Sequence, residues 1–158
     1  MCCPCISMSA SVRYVAIIRQ DVRGGMMARI LVVDDEPAIR RLLRLTMGSE
    51  HDVDEAADGA EALERLTQER PDVVLLDVAM PVMDGLAVCR AARADPSLER
   101  LAIVVVSAVA SREDALAAGA DRYFPKPYRP LALLEAIDEL LALQGTQSAR
   151  LTTSWRLP

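Results

Sequence analysis

The chain alternates between short, continuous apolar runs and longer segments in which apolar residues recur every three or four positions. Continuous runs rich in Val and Ile are typical of strands that are buried on both faces of a sheet. The pattern predicts strong strands at residues 30–33, 73–76 and 103–106, and weaker strands at residues 53–56 and 121–124. All of these runs are far too short to cross a bilayer.

The periodic segments between these runs carry the apolar stripe of amphipathic helices. They predict helices at residues 37–47, 59–69, 86–94, 112–118 and 130–143. Asp58 and Ser111 are suited to cap the starts of two helices, and Pro37 and Pro130 fit in first helical turns. Gly145 is expected to end the last helix.

Strands and helices thus alternate five times, which predicts an α/β fold. Parallel strands joined by right-handed crossovers form a doubly wound, three-layer sandwich, in which ligands bind beyond the carboxyl ends of the strands. The residues at or just beyond these ends are Asp34, Asp35, Asp77, Ser107 and Lys126. The predicted fold therefore brings three carboxylates, a hydroxyl and an ammonium together.

Three carboxylates in one cleft repel each other, so they need a cation or they will take up protons. A cluster of oxygen ligands without His or Cys suits a hard ion, and we expect Mg²⁺. A carboxylate can attack phosphorus to form an aspartyl phosphate, while the metal and Lys126 neutralise the phosphoryl oxygens and Ser107 hydrogen-bonds one of them. The strand ends therefore predict a phosphate-handling site.

Length and composition place this site in a single domain. The 158 residues include 52% apolar and 26% charged residues, which is typical of a soluble globular protein with a buried core. Residues 28–145 are predicted to form the domain, between an N-terminal arm of residues 1–27, disordered or produced by an early start codon, and a flexible tail of residues 146–158. The domain holds 22 acidic and 13 basic residues, which argues against direct nucleic-acid binding. We expect a cytoplasmic protein that does not bind membranes.

Several other side chains are interpreted as structural. The three cysteines among residues 1–5 lack the second ligand pair that a zinc site needs. Cys89 lies in an apolar helical stretch and is expected to fill the core. His51 follows a polar stretch and is expected at the surface, and Gly85 is expected to supply an unusual backbone angle.

Four motifs, in the same order, resemble those of bacterial response-regulator receivers of the chemotaxis-regulator type. They are VVDDEP at residues 32–37, DVAMPVMDG at 77–85, VSA at 106–108, and AGAD at 118–121 followed by Lys126–Pro127. The resemblance covers roughly residues 29–143. It implies a flavodoxin-like fold with five helices and a five-stranded parallel sheet of order 2-1-3-4-5, and a cis Lys126–Pro127 peptide bond.

The resemblance also implies a role for each polar residue at the strand ends. Asp77 would accept the phosphoryl group, and Lys126 and Ser107 would contact it. Ser107 and Tyr123 would form a switch pair, in which the aromatic ring turns inward once Ser107 moves toward the phosphate. Mg²⁺ would be held by Asp34, Asp35, Asp77 and the backbone carbonyl of Ala79.

A chain of this kind is expected to be a signalling switch rather than an enzyme, with only weak self-catalysed phosphorylation and dephosphorylation. A sensor histidine kinase or phosphotransfer protein would donate the phosphoryl group, and a downstream protein would read the change; a phosphorylation-dependent homodimer is left open. The tail is too short for a helix-turn-helix or a catalytic unit, so output is expected through protein contact, unless this is a cut-down chain. The alternative is a Mg²⁺-dependent phosphohydrolase with an aspartyl-phosphate intermediate, but such enzymes need two acids spaced two apart on strand one, whereas Asp34 and Asp35 are adjacent.

Overall fold

A computed structural model describes the backbone of residues 27–152 and the side chains of residues 27–143. Its strands are β1 (Arg29–Val33), β2 (Asp52–Ala56), β3 (Val73–Asp77), β4 (Ala102–Ser107) and β5 (Arg122–Pro125). Its α-helices are α1 (Pro37–Met47), α2 (Gly59–Glu69), α3 (Gly85–Ala94), α4 (Arg112–Ala117) and α5 (Pro130–Thr152), and a short 3-10 helix follows α3 at Pro96–Leu98. The predicted arm, apart from residue 27, and residues 153–158 of the predicted tail lie outside the described residues, as do the three N-terminal cysteines.

The five strands form one parallel sheet of order β2-β1-β3-β4-β5, so the predicted strand order is confirmed. Alternate residues of each strand face opposite sides, because side chains alternate along a strand. On β1, Ile30 and Val32 pack with α1 and α5, whereas Leu31 and Val33 pack with α2, α3 and α4. Both faces of the sheet are therefore covered, which explains why the central strands read as continuous apolar runs.

The helix starts follow the predicted capping chemistry. The Asp58 carboxylate accepts hydrogen bonds from the backbone N–H groups of Ala60 and Glu61. Ser111 and Asp114 form a reciprocal capping box at the start of α4. Pro37 is in the first turn of α1, where its missing N–H is of no consequence. The capping predictions are confirmed. These caps set the residues at which the chain leaves the loops and begins each helix.

The predicted end of the last helix is wrong. Helix α5 continues through Gly145 and is described as far as Thr152. A single glycine costs a helix interior only about 1 kcal/mol relative to alanine, so it disfavours the helix without ending it. Within residues 27–152, no helix combines the length and the apolar character needed to cross a membrane.

Of two side chains interpreted from local sequence, one is as predicted and one is not. Cys89 is fully buried and its thiol donates to the carbonyl of Ala118 at 3.2 Å, and burial raises the pKa of the thiol.

His51 is buried as well, with 4% of its surface exposed, so the surface prediction is wrong. Its Nδ1 accepts from the N–H of Ala28 at 3.5 Å, and its Nε2 lies 3.2 Å from Asp138 Oδ1 without hydrogen-bond alignment. Helix α5, which carries Asp138, covers the turn that precedes β2.

Candidate functional site

The register of the sheet places the acidic residues side by side. Val33 of β1 pairs with Leu76 of β3, so the residue after β1, Asp34, lies beside the residue that ends β3, Asp77. With Asp35, these residues each offer a carboxylate oxygen, and the three oxygens lie within 4.8 Å of one another. Asp34 and Asp77 are 4% and 5% exposed, whereas Asp35 is exposed. The site is thus an acidic cleft in which the carboxylate of Asp35 faces solvent.

Lys126 lies between the two buried carboxylates. Its Nζ donates to Asp34 Oδ2 at 3.0 Å and lies 3.3 Å from Asp77 Oδ1. Burial alone would lower the pKa of the ammonium, but the hydrogen bonds and charges of Asp34 and Asp77 outweigh burial and raise the pKa. The backbone N–H of Lys126 donates to the carbonyl of Ser107 at 2.9 Å, and the Lys126–Pro127 bond is cis as predicted. Lys126 is therefore fixed at the end of β5, facing the acids.

Backbone N–H groups also hold the carboxylates of the two buried acids. Asp34 Oδ1 accepts from Glu36 N–H at 2.9 Å. Asp77 Oδ1 accepts from Val78 N–H at 2.8 Å. Both described contacts of the Asp77 carboxylate therefore engage Oδ1, and neither engages Oδ2. These bonds orient both carboxylates before any ligand is bound.

Arg40 of α1 also reaches the backbone of this cluster, and no sequence pattern predicts this contact. Its Nη1 donates to the backbone carbonyl of Asp34 at 2.6 Å, and its Nε donates to Glu55 Oε2 at 3.3 Å. Arg44, one turn further along α1, pairs with the other oxygen of Glu55 at 3.3 Å. Arginines on an amphipathic helix usually face solvent, so only the proximity of α1 to the end of β1 could have indicated the contact.

Ser107 and Tyr123 meet at the loop between β4 and α4. Ser107 is fully buried, and its Oγ accepts from the N–H groups of Val109 and Ala110 at 3.0 Å each. The Tyr123 hydroxyl donates to the carbonyl of Ala110 at 2.8 Å. The two predicted switch residues thus act on the same short loop, and the ring of Tyr123 is half-buried against the core.

The loop after β3 has its unusual backbone angle at a different residue from the one predicted, Gly85. Met80 N–H donates to the carbonyl of Val78 at 2.9 Å, so the chain turns tightly around the exposed Ala79. Gly85 does not have a positive φ, so the predicted unusual angle is wrong at this position. A Cβ at Gly85 would collide with the carbonyl oxygen of Asp77, and close packing is what requires glycine. Within this loop, Val82 is the residue with a positive φ, at 70°.

The donor set fits Mg²⁺. The three carboxylate oxygens are close enough together to contact one ion, and all are the hard ligands that Mg²⁺ prefers. Lys126 partly offsets their charge. An exposed carboxylate, Asp35, leaves the cluster open to solvent, which suits an ion that keeps several of its waters. The predicted fourth ligand, the carbonyl of Ala79, stays a prediction.

Comparison with known proteins agrees with this geometry. Residues 30–138 match the family described as the response regulator receiver domain. The chain is 44% identical over 119 residues to the response regulator MprA of Mycobacterium ulcerans and to that of Mycobacterium tuberculosis. These matches cover 74% of this chain and 48% and 49% of the relatives, so the chain spans about half the length of the curated relatives it matches.

Solved structures show the same fold. A CheY-like receiver domain protein from Methanospirillum hungatei has a TM-score of 0.72 and 33% identity, covering 77% of this chain and 98% of its own. The chemotaxis protein CheY4 of Vibrio cholerae has a TM-score of 0.67 and 34% identity, covering 72% of this chain and 98% of its own. By its sequence match, its strand order and its structural likeness, the chain belongs to the response regulator receiver domain family.

Proposed function

We propose that the chain is a phosphorylation-dependent switch in the cytoplasm, in which Asp77 accepts a phosphoryl group from a phosphorylated histidine of a sensor kinase or phosphotransfer protein. The observation that carries this proposal is the position of Lys126. Its ammonium lies 3.3 Å from Asp77 Oδ1 and 3.0 Å from Asp34 Oδ2. A cation at that distance is able to stabilise negative charge that arrives on an oxygen next to Asp77.

The chemical step transfers the phosphoryl group between two nucleophiles. A carboxylate oxygen of Asp77 forms a bond to phosphorus as the bond from phosphorus to the donor imidazole nitrogen breaks, and that nitrogen keeps the electron pair. The described contacts of Asp77 engage Oδ1, so Oδ2 is the oxygen we assign as the nucleophile. Lys126 then neutralises a phosphoryl oxygen, and its charge is retained because its pKa is raised.

Asp34, Asp35, Asp77 and the carbonyl of Ala79 would hold Mg²⁺ during this step. When bound, the ion would supply positive charge to the phosphoryl oxygens and orient them for in-line transfer. The protein prepares this site by fixing Asp34 and Asp77 through backbone N–H groups. The exposed Asp35 is the ligand that must be ordered on binding.

Phosphorylation would be transmitted through the β4–α4 loop. Ser107 Oγ accepts hydrogen bonds from the N–H groups of Val109 and Ala110, and a new phosphoryl oxygen near Asp77 would accept the hydroxyl's own hydrogen and draw Oγ away from these N–H groups. A shift of Ser107 would alter the loop to which Tyr123 is bonded. A downstream protein would then read the changed surface of α4, β5 and α5, either directly or through a phosphorylation-dependent homodimer. The acidic charge of residues 28–145 disfavours direct contact of the receiver domain itself with nucleic acid or an anionic membrane, and it supports readout by protein contact.

A phosphotransfer assay tests the proposal directly. The full chain is incubated with acetyl phosphate and Mg²⁺, and phosphorylation is followed by intact mass. We expect the wild type to gain one phosphoryl group and Asp77→Asn to gain none, because the amide lacks the nucleophilic anion. Asp54→Asn, on β2 outside the acidic cluster, is the matched control and should label like the wild type. Labelling of Asp77→Asn at the wild-type level would refute the assignment.

The competing proposal is a turnover phosphohydrolase. It predicts repeated hydrolysis of small phosphate esters, whereas a switch should form one long-lived phosphoprotein and show little turnover. Parallel mixtures with p-nitrophenyl phosphate in place of acetyl phosphate, assayed for released p-nitrophenol, separate the two functions. Multiple turnovers per chain that disappear in Asp77→Asn would favour the hydrolase.

A further inference from the structure

Arg40 connects helix α1 to the backbone of the acidic cleft. Its side chain is only 14% exposed. Nη1 donates to the carbonyl of Asp34 at 2.6 Å, and Nε pairs with Glu55 at the end of β2 at 3.3 Å. The guanidinium therefore bridges the end of β1 and the end of β2 with two separate N–H groups. A planar group with several donors is suited to such a bridge.

The carbonyl of Asp34 belongs to the peptide unit that joins the two adjacent acids. On one side of this unit, the Asp34 carboxylate is held by the N–H of Glu36 and by Lys126. On the other side, Asp35 is exposed, so the position of its carboxylate depends on the orientation of the peptide plane. Arg40 fixes this plane through the carbonyl. Arg40 thereby reduces the number of conformations that the Asp35 backbone can adopt before a ligand binds.

We propose that Arg40 is a positioning residue for the metal site, acting through the Asp34 carbonyl to pre-orient Asp35. The inference rests on the Mg²⁺ site of the proposed function. Residues that orient ligands without touching the metal commonly change metal affinity by roughly 10- to 100-fold when they are substituted. Pre-orientation acts by reducing the conformational entropy that is lost on binding.

Charge and position predict opposite effects of removing Arg40. Arg40 is a cation close to a site for a dication, so its charge alone opposes Mg²⁺ binding. If only charge mattered, a neutral residue would strengthen Mg²⁺ binding. If Arg40 positions the Asp34–Asp35 peptide, a neutral residue would weaken binding. The sign of the change in Mg²⁺ affinity therefore separates the two effects, and a purely structural role would lower the melting temperature without a change in affinity.

The test measures the Mg²⁺ dissociation constant of the full chain by calorimetric titration after removal of metal with a chelator. Arg40→Met should bind Mg²⁺ about tenfold more weakly than the wild type. Arg40→Lys keeps the charge but has one donor nitrogen on a shorter side chain, in place of the two nitrogens that reach the Asp34 carbonyl and Glu55 separately, and it should also bind more weakly. Melting temperatures without metal are measured in parallel to separate folding from binding.

Arg44→Met is the matched control. Arg44 lies on the same helix and pairs with the same Glu55, at 3.3 Å, but its described contacts do not include Asp34. Its removal should leave the Mg²⁺ dissociation constant unchanged. If Arg40→Met does not fold, the comparison of Arg40→Lys with Arg44→Met decides the question. Affinity in Arg40→Lys equal to or above that of the wild type would overturn the inference.

The two proposals fail in different ways. A wild-type chain that takes up no Mg²⁺ at millimolar concentration would overturn the metal site of the proposed function, together with this inference. Wild-type binding that is matched or exceeded by either folded Arg40 variant would overturn the inference and leave the metal site in place. Equal weakening in Arg40→Met and Arg44→Met would also overturn it, because the effect would then come from Glu55 and not from the Asp34 carbonyl.

Discussion

The hydroxyl of Tyr123 donates a hydrogen bond to the backbone carbonyl of Ala110 at 2.8 Å, and this bond joins β5 to the loop that follows β4. The same loop is held from its other side by Ser107 Oγ, which accepts two of its N–H groups. The loop is therefore closed by two side chains from neighbouring strands. Any group that draws Ser107 toward Asp77 must loosen or rebuild these bonds.

Replacing Tyr123 by phenylalanine tests the role of this bond. Tyr123→Phe should lower the free energy of unfolding by about 1 kcal/mol, the usual net value of one hydrogen bond. Amide exchange should become faster across residues 108–111, while phosphorylation of Asp77 should stay at the wild-type level. Tyr128→Phe, also half-buried but outside this loop, should leave the exchange of these amides unchanged. Unaltered exchange in Tyr123→Phe would show that the hydroxyl does not hold the loop.

The sequence was sufficient to predict the sheet and the acidic cleft, because both depend on strand positions. Buried parallel strands are continuous apolar runs, and the first polar residues after them, such as Asp34 and Asp77, must lie at the carboxyl edge. The side-by-side position of these two acids then needs only the adjacency of β1 and β3. Strand order came from the family resemblance and not from the pattern.

Features that depend on packing between distant elements could not be predicted. His51 is buried because α5 covers it, and no local pattern indicates this. Arg40 reaches the Asp34 carbonyl because α1 crosses the end of β1. Within the β3–α3 loop, the motif suggested that Gly85 has the unusual angle, but Val82 has it and Gly85 is required by close contact with Asp77.

Val82 provides a test of this backbone assignment. Its φ of 70° is unfavourable for a β-branched residue, and its side chain is 97% exposed, so packing does not compensate for the strain. The left-handed conformation costs a non-glycine residue about 1–2 kcal/mol, whereas glycine loses about 0.5–1 kcal/mol through its more flexible unfolded state. Val82→Gly should therefore raise the free energy of unfolding by up to about 1 kcal/mol.

Val109→Gly is the matched control for this prediction. Val109 is also exposed, at 72%, and it lies in a loop beside the cleft, but its φ is not positive. The same substitution should there be destabilising by about 0.5–1 kcal/mol. Urea denaturation of both variants measures the sign of each change in the free energy of unfolding. Destabilisation by Val82→Gly as large as that by Val109→Gly would mean that Val82 is not strained.

The raised pKa of Lys126 predicts a pH dependence of stability. Asp34 and Asp77 hold the ammonium in its charged form, so its pKa in the folded chain lies above the ordinary value of 10.5. A group of this kind contributes stability that is fully present below its unfolded pKa and is lost as the pH rises through the folded pKa. Without metal, Lys126→Met should be less stable than the wild type at pH 8, and the difference should shrink above about pH 10.5.

Urea denaturation between pH 8 and pH 11.5, with a chelator present, measures this difference. The charge of Lys126 also acts on the hydroxyl of Tyr128, so both proteins carry Tyr128→Phe and ionisation of that tyrosine does not enter the comparison. Lys126 is a quarter exposed, so solvent screens the pair and the effect should be small. A stability difference that grows from pH 8 to pH 11.5 would contradict the assigned direction of the shift.

Lys126→Arg keeps the charge in the cleft but changes its shape. Lysine places one compact ammonium between Asp34 and Asp77, whereas a guanidinium is wider and planar and cannot occupy the same point between them. Lys126 is the only lysine among 18 basic residues, which agrees with a position that arginine does not fill. The variant should fold and bind Mg²⁺ but lose most of the change in amide exchange at Ser107 and Tyr123 on phosphorylation.

The reverse exchange at a neighbouring position controls for this result. Arg129 is exposed three residues further along the chain, and Arg129→Lys should respond to phosphorylation like the wild type. Phosphorylation of Asp77 in Lys126→Arg is confirmed by intact mass, so that a lost response is not confused with a lost reaction. The opposite result is that phosphorylated Lys126→Arg shows the full wild-type change in amide exchange at Ser107 and Tyr123. A planar cation would then perform the same function, so the charge of residue 126 would be sufficient and the compact shape of the ammonium would have no specific role.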